Sequence, residues 1–258
     1  MITSTSNAQV KEVCALQKSR KARRETGFFV AEGRRLLEEA PEELLERVYA
    51  SESFLADAEK KERLPERLLQ RTECVSDACF ARMADTVGPQ GILGVLRMPE
   101  AKPEELPDGP LLILENVQDP GNVGTLIRTA EAAGMGGILM NRLSADPFQP
   151  KTVRSAMGSL FRMRISVTDD LSGALRFLKS RGIRLYAAHL KGSVDYREPA
   201  YGPKTALLIG NEANGLSEEV TERADVRIRI PMRGEVESLN AAVSAAILMY
   251  ESVRENGG

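Results

Sequence analysis

The 258-residue chain has one histidine, three cysteines and no tryptophan, and aromatic residues make up only 5% of it. A single histidine, His189, excludes any mechanism that needs two. Its place in the apolar run YAAHL reads as structural or incidental. Cys14, Cys74 and Cys79 are an odd number, and the C-x4-C pair has no second pair and no histidine beside it. Neither a disulfide framework nor a metal site is therefore expected. No apolar run approaches the ~20 residues of a membrane span. The opening MITSTSNAQVKEVC also lacks the basic-then-apolar layout of an export signal. The expectation is a soluble cytoplasmic protein with no membrane partner. A net charge of −2 with so few aromatics also departs from the usual profile of a nucleic-acid binder.

What is present changes that last inference. Residues 1–36 hold eight basic and three acidic side chains, a net of +5, whereas residues 37–108 hold nine and 17. The near-neutral total hides a polar distribution, and such asymmetry is a better partner signal than the sum. Hydrophobic residues make up 42% of the chain, enough for a packed core. Prolines 99, 103, 107 and 110 recur among charges, which predicts an extended linker over 98–109 between domains at 1–97 and 110–258. The first domain alternates helical and strand-like stretches, including a helix from Asn7 to Lys18 and strands FFVAE and GILGVLR. In the second, short apolar runs such as LLILE and TALLIG alternate with helical segments, among them one helix over 151–161 and a last helix over 238–253. That alternation predicts an α/β fold with a mostly parallel sheet.

Three of the second domain's strands end in polar loops that carry glycine or proline: 116–134, GNEANGLS (210–217) and PMRGEVESLN (231–240). Open α/β sheets bind ligands where such loops leave the carboxyl ends of strands. The common nucleotide motifs fail. G-x-G-x-x-G is absent, and Leu216 stands where a Walker lysine must sit in Gly210-Asn-Glu-Ala-Asn-Gly215. A Ser-His-Asp arrangement is excluded because the only histidine lies in a strand-like run.

Together the three loops resemble the three motifs of SpoU-type (TrmH-type) RNA 2′-O-ribose methyltransferases of the SPOUT class. The first is carried by Asn116, Asp119-Pro120, Asn122, Gly124, Arg128 and Gly134. The second is Leu208-Ile209-Gly210-Asn211-Glu212 with Gly215. The third is Ile230-Pro231-Met232 followed by Glu237-Ser238-Leu239-Asn240. KTVRSAMGSLFRM (151–163) also matches the family pattern, and order and spacing agree over about 110–254. The first domain resembles, more weakly, the ribosomal-protein-like substrate-binding domain often fused to these enzymes. The resemblance implies a deep trefoil knot in the C-terminal sheet, S-adenosylmethionine as methyl donor, and a homodimer formed through the C-terminal domain. It implies RNA as partner, with ribosomal RNA favoured over transfer RNA. A non-catalytic RNA-binding module on the same fold and a methyltransferase acting on a non-RNA hydroxyl stay open.

The resemblance also implies roles. Arg128 would be the catalytic arginine. Because a guanidinium is effectively never deprotonated, gripping a phosphate and orienting the 2′-OH suits it better than accepting a proton. Gly124, four residues earlier on the same helix face, would leave room beside it. Asn122 would position the ribose or the arginine, and could equally cap its helix. Glu212 would lie near the donor, with an ion pair to Arg128 as the natural guess. Ser238 and Asn240 would sit near the target ribose, Ser238 as a possible cap. Ile209, Ile230, Met232 and Leu239 would supply apolar walls to the donor, and Gly210 would let backbone approach it closely. Asn211 and Asn214 suit positive-φ backbone. Leu239, Ala242, Val243, Ala246, Ile247 and Tyr250 form a helical apolar stripe that reads as core or dimer interface. On a domain of this kind Lys18, Arg20, Lys21, Arg23 and Arg24 read as phosphate contacts, with Arg142, Lys151, Arg154, Arg162 and Arg164 as a second basic group around the catalytic domain. Scarce aromatics favour recognition of RNA by shape and backbone.

Overall fold

The computed structural model describes residues 1–191 and 193–254. They form two compact units, Met1–Pro99 with Asp146–Phe161, and Glu100–Ala145 with Arg162–Gly258. In the first unit, strands β1 (Phe28–Glu32), β2 (Leu45–Ser51), β3 (Thr72–Val75) and β4 (Ile92–Arg97) form a sheet in the order β1-β4-β2-β3. Only the β2–β3 pair is parallel. The Ala8–Lys18 helix starts at Asn7, whose side chain accepts from Gln9 N–H. It buries Val10, Val13 and Leu16 against Tyr49, Phe80, Met83, Leu93 and Val95. That apolar face at helical spacing is what the sequence pattern predicts.

The 146–161 segment belongs to this unit. Phe29 packs on Phe148 and Phe161, with ring centroids 5.2 and 6.4 Å away. The single helix expected over 151–161 is two short ones, Pro150–Ala156 and Ser159–Arg162. The break falls at Met157, whose φ of 53° lies outside the helical region.

The second unit is built on β5 (Glu100–Ala101), β6 (Leu111–Leu114), β7 (Gly137–Asn141), β8 (Ile165–Thr168), β9 (Arg184–Ala188), β10 (Val194–Asp195), β11 (Thr205–Ile209) and β12 (Val226–Arg229). They form one eight-stranded sheet in the order β10-β12-β9-β11-β6-β7-β8-β5, and every pairing is parallel. All residues of β6 and β11 are buried, which explains why their sequences are unbroken apolar runs rather than alternating ones. The Leu171–Ser180 helix packs Leu171, Ala174, Leu175 and Leu178 on this sheet. The stretch expected to be a plain linker is built into the same unit. β5 extends the sheet beside β8, and Leu106 is fully buried in its core.

Because all eight strands run the same way, their carboxyl ends lie on one edge. Strand order reverses direction between β6 and β11, the place where open α/β sheets hold ligands.

Candidate active site

Along that edge the loops after β9, β11 and β12 and the start of the Ala241–Val253 helix enclose a cavity of about 420 Å³. Ile209, Gly210, Ile230, Met232 and Leu239 all line it, so the residues expected to wall a donor come together. Glu212, Glu237 and Ser238 line it too. Sequence reasoning missed one wall, formed by Ala188, His189, Leu190 and Lys191 at the end of β9. His189, read as structural, faces the cavity with its Nδ1 held at the backbone of Lys191. The available signal was its place at the end of a strand beside β11.

Three of the five catalytic candidates, Asn122, Glu212 and Asn240, form a hydrogen-bonded chain, and Arg128 and Ser238 stand outside it. Asn122 Nδ2 donates to Glu212 Oε1 at 2.9 Å, and Asn240 Nδ2 donates to Asn122 Oδ1 at 3.1 Å. One residue from each of the three loops is thereby joined. Local capping makes this possible. The Pro120–Ala132 helix is capped by Asp119, which accepts from Asn122 N–H, so the Asn122 side chain is released for tertiary contact. The Ala241–Val253 helix is capped by Asn240, whose Oδ1 accepts from Ala242 and Val243 N–H while its Nδ2 reaches Asn122. Capping, left open for Asn122 and Ser238, falls instead to Asp119 and Asn240. Ser238 is exposed at the cavity rim.

Glu212 also accepts from Gln118 N–H at 3.4 Å and makes no ion pair with Arg128. The guess of a Glu212–Arg128 pair is therefore wrong, because the amide chain has taken the carboxylate. Arg128 is exposed, and among the described residues nothing holds its guanidinium. Gly210 also departs from expectation. A Cβ there would lie 2.1 Å from Gly215 C and 2.2 Å from Leu216 N, so backbone, not ligand, occupies the space its missing side chain leaves. The non-glycine residue with positive φ in these loops is Asn116, not Asn211 or Asn214. Asn211 instead uses Oδ1 to accept from Ala213 and Asn214 N–H. Glu115, buried at the end of β6, accepts from Ser217 N–H and Oγ at 2.7 Å each and so anchors the second loop.

Lys151 and Arg154, expected around the catalytic domain, lie in the first unit with Lys18, Arg20, Lys21, Arg23 and Arg24, whereas Arg142, Arg162 and Arg164 lie in the second. Lys18, Lys21, Arg24 and Lys151 are exposed and Arg20 is half-buried. Arg154 is paired with Asp85 at 2.9 Å. Arg23 must be removed from any surface patch. It is 3% exposed, paired with Asp146 at 2.7 Å, and donates to the carbonyls of Leu16 and Gln17. Among the described residues no group of His, Cys, Asp or Glu is placed to hold a metal, and no helix is long and apolar enough to cross a membrane.

Comparison with known proteins gives concordant matches. Residues 109–250 match the model of the SpoU rRNA Methylase family, and residues 7–94 match the MRM3-like substrate binding domain. The chain is 36% identical to the 23S rRNA (guanosine(2553)-2'-O)-methyltransferase RlmP of Bacillus subtilis, over 96% of this chain and 97% of the relative. It is similar in structure to an rRNA methyltransferase from Sinorhizobium meliloti with AdoMet bound, at a TM-score of 0.85 and 31% identity over 98% and 97% of the two chains. It is also similar to the SpoU methyltransferase AviRb of Streptomyces viridochromogenes, at a TM-score of 0.83 and 28% identity over 96% and 97%.

Proposed function

The chain belongs to the SpoU rRNA methylase family, and from that premise we propose that it methylates a ribose 2′-OH of ribosomal RNA with S-adenosylmethionine as donor. The observation that carries this reading is the joining of Asn122, Glu212 and Asn240 beside a cavity that the donor would fit. A volume of about 420 Å³ lies within the range of small-molecule sites. Its walls combine apolar side chains with Gly210, which has only backbone to present, the chemistry that suits an adenine ring and its edge. When bound, the donor supplies an electrophilic methyl on a sulfonium, so the protein needs to align rather than activate it.

Ile209, Ile230, Met232 and Leu239 give the cavity apolar walls, and Glu212 faces it from the rim of the second loop. Asn122 and Asn240 present amide groups to the ribose. Arg128, whose guanidinium no described residue holds, grips an RNA phosphate and orients the 2′-OH as a planar, always charged fork. The first unit, with Lys18, Lys21, Arg24 and Lys151 at its surface, binds the RNA backbone.

Ribosomal RNA is favoured over transfer RNA because the similarity to enzymes named for ribosomal RNA extends through the first unit as well as the second. The family implies a trefoil knot in the C-terminal unit, and in this reading the protein works in the cytoplasm. It acts as a homodimer through the C-terminal unit, covering Val243 and Tyr250, which stand 49% and 54% exposed on the last described helix. The decisive experiment is transfer of labelled methyl from S-adenosylmethionine to ribosomal and transfer RNA, with mapping of the 2′-O-methyl site. The guanosine modified by the Bacillus relative is the first position to inspect. Labelling of transfer RNA alone would overturn the ribosomal assignment, and labelling of neither would overturn the enzymatic one.

A further inference from the structure

We propose that Asn141, at the carboxyl end of β7, is a positioning residue for methyl transfer: it holds Asn116 in a left-handed backbone conformation and so sets the loop that carries Asn122. Asn141 neither lines the cavity nor bonds to Asn122, Glu212 or Asn240. Any effect it has on the chemistry therefore passes through the loop backbone at Asn116 and, by way of Ser144, at Val117.

Asn116 has a φ of 55°, a conformation that L side chains other than asparagine and aspartate seldom hold unaided. Two reciprocal hydrogen bonds fix it. Asn116 N–H donates to Asn141 Oδ1 at 2.9 Å, and Asn141 Nδ2 donates to Asn116 Oδ1 at 2.7 Å. Ser144 extends the restraint by one residue. Its Oγ donates to Asn141 Oδ1 at 2.9 Å and accepts from Val117 N–H at 3.1 Å. On the opposite side, Asn211 Nδ2 donates to the Asn116 carbonyl at 2.8 Å. Three asparagines thus tie the carboxyl ends of β7, β6 and β11, which are neighbours in the sheet. The backbone leaving this tie reaches Glu212 through Gln118 N–H, then Asn122 through the capped helix. The pattern demands an acceptor and a donor side by side at position 141, and the carboxamide of Asn141 supplies both on one carbon, Oδ1 accepting and Nδ2 donating.

The inference rests on the methyltransferase reading, so unaltered enzyme is the control. The full-length variants Asn141→Ala and Asn141→Asp are assayed for RNA methylation and for binding of S-adenosylhomocysteine by calorimetry. Amide hydrogen exchange over residues 116–119 is the readout that does not depend on turnover. Asn141→Ala is expected to lower kcat about 10- to 100-fold, the cost of misplacing a reacting group by a fraction of an ångström to an ångström. KM for RNA and ligand affinity should stay unchanged, while exchange at Val117 and its neighbours speeds up. Asn141→Asp keeps the oxygen that accepts from Asn116 N–H and should recover part of the rate. Unchanged kcat, unchanged exchange, or a rise confined to KM for RNA would each overturn the proposal. If the alanine variant does not fold, the aspartate variant decides by the same readouts. If unaltered enzyme transfers no methyl, the functional reading fails instead, and hydrogen exchange still reports whether Asn141 holds Asn116.

Discussion

The carboxamide of Asn122 lies between Glu212 and Asn240, donating to the first at 2.9 Å and accepting from the second at 3.1 Å. Replacing Asn122 by Asp turns the donor facing Glu212 into a second carboxylate. Like charges at that spacing repel, and the chain of amides must open. We expect Asn122→Asp to lower kcat more than Asn122→Ala does, by at least about 10-fold for a group that orients a reactant. Donor affinity measured by calorimetry should change little in either.

Arg128→Ala is expected to abolish methyl transfer while leaving S-adenosylhomocysteine binding and thermal stability intact, since no internal bond of the described protein holds its guanidinium. Arg128→Lys should not restore the rate, because a point charge lacks the planar fork. Near-normal turnover by Arg128→Ala in a single-turnover assay would remove the arginine from the mechanism.

Gly210→Ala tests the second loop. The added methyl would sit 2.1 Å from Gly215 C, and backbone cannot move aside as a side-chain tip can. Overpacking of this kind should cost about 3 kcal/mol or more. Gly210 also lines the cavity, so donor binding should weaken together with a lowered melting temperature. A variant with unchanged melting temperature would show that the loop relaxes freely.

These contrasts mark what the sequence displays and what it hides. LLIL and TALLI read directly as strands because burial on both faces demands continuous apolar residues, and the polar loops after them stand out for the same reason. The identity of each cap was hidden, because Asp119 and Asn122, or Ser238 and Asn240, are equally competent by residue type. Geometry alone selects one. The left-handed position was misplaced for a similar reason. Asn116, Asn211 and Asn214 all tolerate positive φ, and the choice falls to the residue that Asn141 can hold. β5 and the break at Met157 were illegible because two residues carry too little pattern to compete with the surrounding prolines or with a helical run.

The apolar stripe on the last helix gives a further test. Ala242, Ala245, Leu248 and Met249 face the interior, while Val243 and Tyr250 do not. Val243→Asp with Tyr250→Asp should leave the fold intact and convert a dimer to a monomer in sedimentation velocity. A wild-type protein that sediments as a monomer at high concentration would overturn the assignment of this face.

The basic run from Lys18 to Arg24 contains two kinds of residue that one substitution type separates. Arg23 is paired with Asp146 inside the first unit, 123 residues away in sequence. Arg23→Ala leaves a buried carboxylate without its partner, which typically costs about 3–5 kcal/mol. Its effect on RNA binding should therefore follow its effect on unfolding. Lys18→Ala and Arg24→Ala change exposed side chains and should leave the melting temperature unchanged. RNA affinity should fall for both, with a shallower dependence on salt, as expected when phosphate contacts are removed. Deleting residues 1–36 cannot make this distinction, because it also removes β1 and the face carrying Val10, Val13 and Leu16. Equal RNA affinity and salt slope in the Lys18 and Arg24 variants would show that the net charge of this segment does not mark the RNA-binding face.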